Sequence, residues 1–292
     1  MTLEFPAMTS AVESVTVAVR DLDAAVRLFG RTLGLRTESD TRASVSLLGA
    51  WRYPVHADVR LVELSYEGYP FGRLRLAQFE GAGVGGPAGG FDDPSVPSGA
   101  TTLALHGGTE HVIKALADAG YERARGPEAK NEGQNLYRNG ENLELALLPG
   151  TESPRGSVTG RRIGEIAFVA VYSRDPAAAE RFYHSIGLVA GEGVPRVFRD
   201  RQQPSGAIQV RRLDERGAPI PIHAPMPGHH YGINLLSLRC SDLDALETRL
   251  RASEVDIVTR PTHVSVGDGI PARIMLVRGP GSELLELVER DT

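Results

Sequence analysis

Two stretches decide the fold: residues 18–35, AVRDLDAAVRLFGRTLGL, and residues 170–188, AVYSRDPAAAERFYHSIGL, which line up after one insertion. In the first, the alternating segment Ser14–Val19 meets Asp21-Leu22-Asp23, and a helix follows with Ala25, Leu28, Phe29 and Leu33 on one side and a stop near Gly34. In the second, Glu165–Val171 leads into a helix over Ala177–Ile186 that stops at Gly187. Two further openings have the same form. Thr101–Leu105 precedes Thr109 as an N-cap, then Val112, Leu116 and Gly120; Ile233–Cys240 precedes Ser241 as a cap, then Leu243, Leu246 and Leu250 at helical spacing. Alternating segments follow every helix, among them Val59–Leu64, Leu74–Phe79, Ala207–Leu213 and Glu283–Val288. A closing echo is present too, GENLEL at 140–145 against GSELLEL at 281–287. The repeating unit is therefore β-α-β-β-β, used four times, which predicts an α+β fold.

Three stretches rich in Gly and Pro separate the units: Gly81–Gly99, Pro149–Gly160 and Asp214–Gly228. They predict two consecutive domains, 1–149 and 161–292, each built from two units whose sheets curve round a cup. The chain is long enough for two cores, at 292 residues with 41% hydrophobic and 24% charged side chains. A net charge of −5 without a basic run argues against a nucleic-acid partner. The single cysteine, Cys240, excludes an internal disulfide and is expected in the core. Met1–Ser14 lacks the form of a signal peptide and no run of about 18 apolar residues is present. Cytoplasm is the expected location, with no membrane partner.

The opening AVxDLDAAxxFYxxxLGL pattern and the closing G-x-L-E-L strand resemble the vicinal oxygen chelate superfamily, which includes glyoxalase I, bleomycin-resistance proteins and the extradiol dioxygenases. The resemblance covers nearly the whole chain and implies metal ligands on the first strand of each unit and on the last strand. Carried onto this sequence, the first half presents Ser14, Thr102 (or Thr101), Glu144 and, at an optional fourth position, Arg75. An inward Arg75 facing Glu144 is expected to form an internal ion pair or an anion contact. The second half presents Glu165, Gln209, Glu286 and either Leu235 or Asn234. None of the eight histidines falls on a first-strand position, although His230 immediately precedes the opening of the fourth unit. No tightly held transition metal is expected; an oxygen set of Glu165, Gln209 and Glu286, with His230 beside it, would hold Mg or Mn weakly.

Three functions are then open for a small-molecule ligand. Glu165 and Glu286 sharing a dry cup would repel, leaving one protonated, the arrangement a lyase or isomerase uses to move a proton on an oxygenated metabolite. Gln209, Asn234, His230 and Arg273 would then line the cup as binding groups. The alternative is a resistance-type protein that sequesters a drug or metabolite without catalysis. The third is a metal-dependent extradiol-type dioxygenase, which the missing histidines disfavour. The second domain is the expected working site, Trp51 and Tyr53 border the first cup as packing residues, and a homodimer is an allowed assembly.

Overall fold

A computed structural model of the chain describes residues 9–66, 69, 71–80, 100–107, 109–123, 135–141, 143–148, 152–153, 156–157, 163–191, 196–200, 206–212, 231–267 and 269–290. The Gly/Pro stretches between units fall almost wholly outside these residues, as does His230. The first unit runs β1 (Thr9–Ala18), α1 (Leu22–Val26, continued as a wider-turned helix over Arg27–Thr32), β2 (Arg36–Arg42), α2 (Val45–Ala50), β3 (Asp58–Ser65) and β4 (Arg73–Glu80). The second is β5 (Ala100–His106), α3 (Glu110–Asp118), β6 (Glu122–Arg123), β7 (Asn135–Arg138) and β8 (Glu144–Leu148). A two-stranded ribbon follows, β9 (Glu152–Ser153) with β10 (Gly156–Ser157). The third unit is β11 (Ile166–Ser173), α4 (Pro176–Ser185), β12 (Val189–Ala190), β13 (Arg196–Arg199) and β14 (Ala207–Arg212). The fourth is β15 (Gly232–Cys240), α5 (Leu243–Ala252), β16 (Asp256–Val266), β17 (Ile270–Arg278) and β18 (Leu284–Arg290).

Each major helix opens on a side-chain oxygen that takes an otherwise unpaired N–H of its first turn. Asp21, Thr109 and Asp175 do this for α1, α3 and α4. For α5 the cap is Asp242, which accepts from Ala245 N at 2.9 Å, one residue beyond the expected Ser241. Leu243, Leu246 and Leu250 then turn inward as their spacing predicts.

The four units pair differently from the contiguous division at 149 and 161. One eight-stranded mixed sheet has the order β16-β17-β18-β15-β1-β4-β3-β2, so the first unit joins the fourth; the other, β12-β13-β14-β11-β5-β8-β7-β6, joins the second to the third. The joints are antiparallel, β1 on β15 and β5 on β11. We call these the outer-unit and inner-unit sheets. Helices α1, α3, α4 and α5 pack with one face of each sheet in a shared core that includes Leu22, Val112, Phe182 and Leu246. The opposite face of the outer-unit sheet carries a second cluster, closed by α2 through Leu47, Leu48 and Trp51. Ser44 ties that helix down, accepting from Leu47 N at 3.1 Å and donating to Ser265 O at 2.7 Å.

A ring of four backbone hydrogen bonds relates the first and third units: Gly72 N to Val12 O (3.0 Å), Ile166 N to Gly72 O (3.4 Å), Gly206 N to Ile166 O (3.0 Å) and Val12 N to Gly206 O (2.9 Å). Both glycines have positive φ, +63° and +70°. A Cβ on Gly206 would stand 2.5 Å from Val12 O, so only glycine lets the strands approach this closely. The ring makes Val12 the counterpart of Ile166. The helix caps Asp21 and Asp175 each lie nine residues further on, so no insertion separates crossing from cap; the one extra residue lies within the first unit's helix, between its cap and Gly34, the counterpart of Gly187. Thr16 then matches Ala170, and Arg75 matches Gln209, the latter two each three residues after a ring glycine.

Candidate functional site

Alternation decides which side chains reach the cup of the outer-unit sheet. On β17 and β18 Met275, Val277, Leu285 and Leu287 face the helices, whereas Ile274, Leu276, Leu284 and Val288 face away from them. Glu286 shares the second parity and is buried among these apolar neighbours. The same rule brings Ser237 of β15, Thr16 of β1, Arg75 of β4 and Glu63 of β3 to the cup, with cross-strand partners Ser237↔Glu286, Thr16↔Arg75 and Glu63↔Arg75.

These groups form one network. Glu286 Oε1 accepts from the Trp51 indole at 2.7 Å; Oε2 accepts from Ser237 Oγ at 2.6 Å and Arg75 Nη1 at 3.1 Å. Arg75 also donates through Nε to Glu63 Oε1 at 3.1 Å, and Arg73 Nη1 donates to Glu63 Oε2 at 3.3 Å. Burial opposes the charge on Arg75, but Glu286 and Glu63 outweigh it and raise its pKa. Burial likewise pushes the Glu63 carboxyl up, and Arg75 with Arg73 more than reverses this, leaving its pKa lowered. Beside the network Glu13 forms an ion pair with Arg290 Nη2 at 2.9 Å and accepts from Arg239 Nη2 at 3.2 Å.

A cavity of about 230 Å³ opens onto this floor, lined by Ser14, Glu63, Arg75, Ser237, Glu286 and Arg290 among others, with Ile270 at its mouth. Ser14 Oγ, only 2% of whose residue is exposed, has no hydrogen-bond partner among the described residues; nor do buried Thr16 Oγ1 and Arg290 Nε.

The inner-unit sheet repeats the closing-strand arrangement. Glu144 accepts from Thr102 Oγ1 at 2.5 Å and from Arg138 Nε at 2.7 Å. Thr102 stands opposite Glu144, as Ser237 stands opposite Glu286. Gln209, on β14 beside Ala170, accepts from Arg211 Nε at 2.8 Å.

Several expected contacts are therefore redistributed. Glu286 and Arg75, placed by the sequence in different domains, are partners, and Arg75 does not face Glu144. Glu165 lies immediately before β11, buried, and Gln209 lies on β14, so neither joins Glu286; the expected acid–base pair and the three-residue oxygen site are split between sheets. Glu165 instead acts on His106, whose pKa burial lowers and the carboxylate's charge partly restores. The reason is register: the four-bond ring matches Glu165 to Ala11, not to Ser14. Arg273 has the helix-facing parity and pairs with Asp244 at 2.6 Å and Glu289 at 2.8 Å. Asn234 is buried, its Nδ2 donating to Gly232 O at 2.9 Å, one residue out of phase with Leu235 on the cup face. Trp51 does more than pack, since it holds a carboxylate oxygen. Glu63 and Ser237, missed in the sequence, become predictable once the partners of β4 and β18 are known.

The residues present do not fit a divalent metal. Three donors surround the Glu286 carboxylate, and one is a guanidinium, which offers N–H groups and no lone pair to a cation. Glu144 is likewise engaged by a hydroxyl and a guanidinium. No cluster of three or more His, Cys, Asp or Glu suited to a metal occurs among the described residues.

No protein-family profile matches the sequence, and no curated protein does. Solved structures do match. Glyoxalase I from Zea mays superposes with a TM-score of 0.63 at 12% identity, over 96% of this chain and 92% of that one. A candidate dioxygenase from Bacillus subtilis strain 168 gives 0.59 at 16% identity, over 98% and 87%. With its four β-α-β-β-β units in two eight-stranded mixed sheets, the chain has the vicinal oxygen chelate fold in the tandem form that these proteins share.

Proposed function

We propose that the chain binds a small, polar, oxygen-rich molecule in the cup of the outer-unit sheet. One observation carries this: a cavity of about 230 Å³ whose floor holds a buried, unpartnered hydroxyl, Ser14. A buried polar group left without a partner costs about 1–3 kcal/mol, which a ligand atom reaching it would recover. Arg290 Nε offers a second donor of the same kind. Proton transfer by a lyase or isomerase needed Glu165 beside Glu286, whereas Glu286 is occupied by three donors and Glu165 stands on the other sheet. Sequestration of a metabolite or drug is thus the better supported of the functions open to the sequence.

The test is a thermal-shift panel of small hydroxy acids, amino acids and sugars, with titration calorimetry on any hit. Ser14→Ala should weaken its affinity about tenfold, the equivalent of one lost hydrogen bond, while Glu144→Gln should leave it unchanged. A hit indifferent to Ser14→Ala but lost on Glu144→Gln would move the site to the inner-unit sheet.

A further inference from the structure

We propose that Arg75 is the built-in cation of the outer-unit cup, its guanidinium standing where the fold's ligand positions converge and closing that position to a metal ion. The resemblance places the metal among first-strand and closing-strand side chains. In the outer-unit sheet those strands supply Ser14 and Thr16, Ser237, Glu286 and, at the optional position, Arg75. Four of the five side chains are oxygen donors of the hard type that Mg²⁺ and Mn²⁺ accept. The fifth is a cation.

Arg75 meets what such a position requires of a charge. It joins two carboxylates from opposite ends of the chain, Glu63 and Glu286, each at 3.1 Å. It is nearly enclosed: the side chains of Arg75 and Glu286 are 10% and 2% exposed. Two carboxylates sharing one site, Glu286 buried and Glu63 18% exposed, would repel without a cation between them. The unpartnered Thr16 hydroxyl is explained as well: it is buried opposite Arg75 on the strand that pairs with β4, and a guanidinium with two carboxylate partners leaves it unused. The third unit shows the alternative within the same chain, because the residue matched to Arg75 there is Gln209, a neutral oxygen donor.

Removing the guanidinium while keeping the oxygens should therefore create a cation site. Arg75→Ala and Arg75→Gln are compared with the full-length wild type and with Arg75→Ala/Glu286→Gln. Free Mn²⁺ is counted by electron paramagnetic resonance, and Tm is read with and without millimolar Mn²⁺. Wild type and Arg75→Lys should take up no Mn²⁺ and keep their Tm. Arg75→Ala should lose Tm in metal-free buffer and regain roughly 5 °C with Mn²⁺ at saturation, a gain that the double variant lacks. Should Arg75→Ala fail to fold, Arg75→Gln carries the same expectation. One equivalent of Mn²⁺ bound by wild type would overturn the proposal, as would folded Arg75 variants that ignore the ion.

Discussion

At the residue scale, one buried carboxyl lies outside the cup. Glu283, at the turn between β17 and β18, is buried, and Tyr183 of α4 donates its hydroxyl to Glu283 Oε1. Burial raises its pKa to about 7, against the opposing pull of the Tyr183 hydroxyl and the backbone N–H groups of Glu283 and Gly281. The unfolded chain returns this carboxyl to its ordinary value of 4.5. Between those values the native state holds a proton that the unfolded state has lost, so stability falls as pH rises. The contribution is complete below 4.5 and gone above 7, and amounts to about 3 kcal/mol at 1.4 kcal/mol per pH unit. Urea unfolding from pH 4.5 to 8 should show this slope in wild type. Glu283→Gln, which keeps an acceptor for Tyr183, should flatten it and be the more stable protein at pH 8. An unchanged slope would place the titration elsewhere.

At the element scale, the strand crossing at Val12, Gly72, Ile166 and Gly206 sets the register of the first unit against the third. Gly206→Ala should cost about 3 kcal/mol or more, because its Cβ would meet Val12 O at 2.5 Å on backbone that cannot yield. Gly120 is the control. It also has positive φ, +82°, at the C-terminal end of α3, but nothing lies within 4 Å of its Cβ, so Gly120→Ala should cost only about 1 kcal/mol of backbone strain. Equal losses in chemical denaturation would mean that the crossing does not constrain the strands. The elements themselves were legible in the sequence: the cap Thr109, the helical leucines Leu243, Leu246 and Leu250 and the alternating strands form as their patterns predict, and the cap of α5 falls one residue past the expected Ser241. What was not legible was register. The match of AVRD to AVYS slid the third unit by two residues against the first, and one further residue within the strand put Glu165 in the position that the crossing gives to Phe168 on β11.

At the scale of the whole molecule, the units read correctly and their pairing did not. All four first strands alternate in the same way, and each hides an apolar row on the helix side, so local pattern permits any two to join. The connectors suggested neighbours in sequence; the structure joins first to last and second to third. This one topological fact moves Glu286 from a partner on its own half to a partner 211 residues away. It also changes the chemistry of the cup from two opposed carboxylates to a carboxylate held by an arginine, an indole and a hydroxyl. The most direct test is a pair of double-mutant cycles on unfolding free energy, Arg75→Gln with Glu286→Gln and Arg75→Gln with Glu144→Gln. Groups in contact couple by about 0.5–3 kcal/mol, whereas distant ones add within about 0.5 kcal/mol. Coupling of about 2 kcal/mol is expected between Arg75 and Glu286, with additivity between Arg75 and Glu144; coupling to Glu144 with additivity to Glu286 would mean that Arg75 serves the inner-unit carboxylate instead.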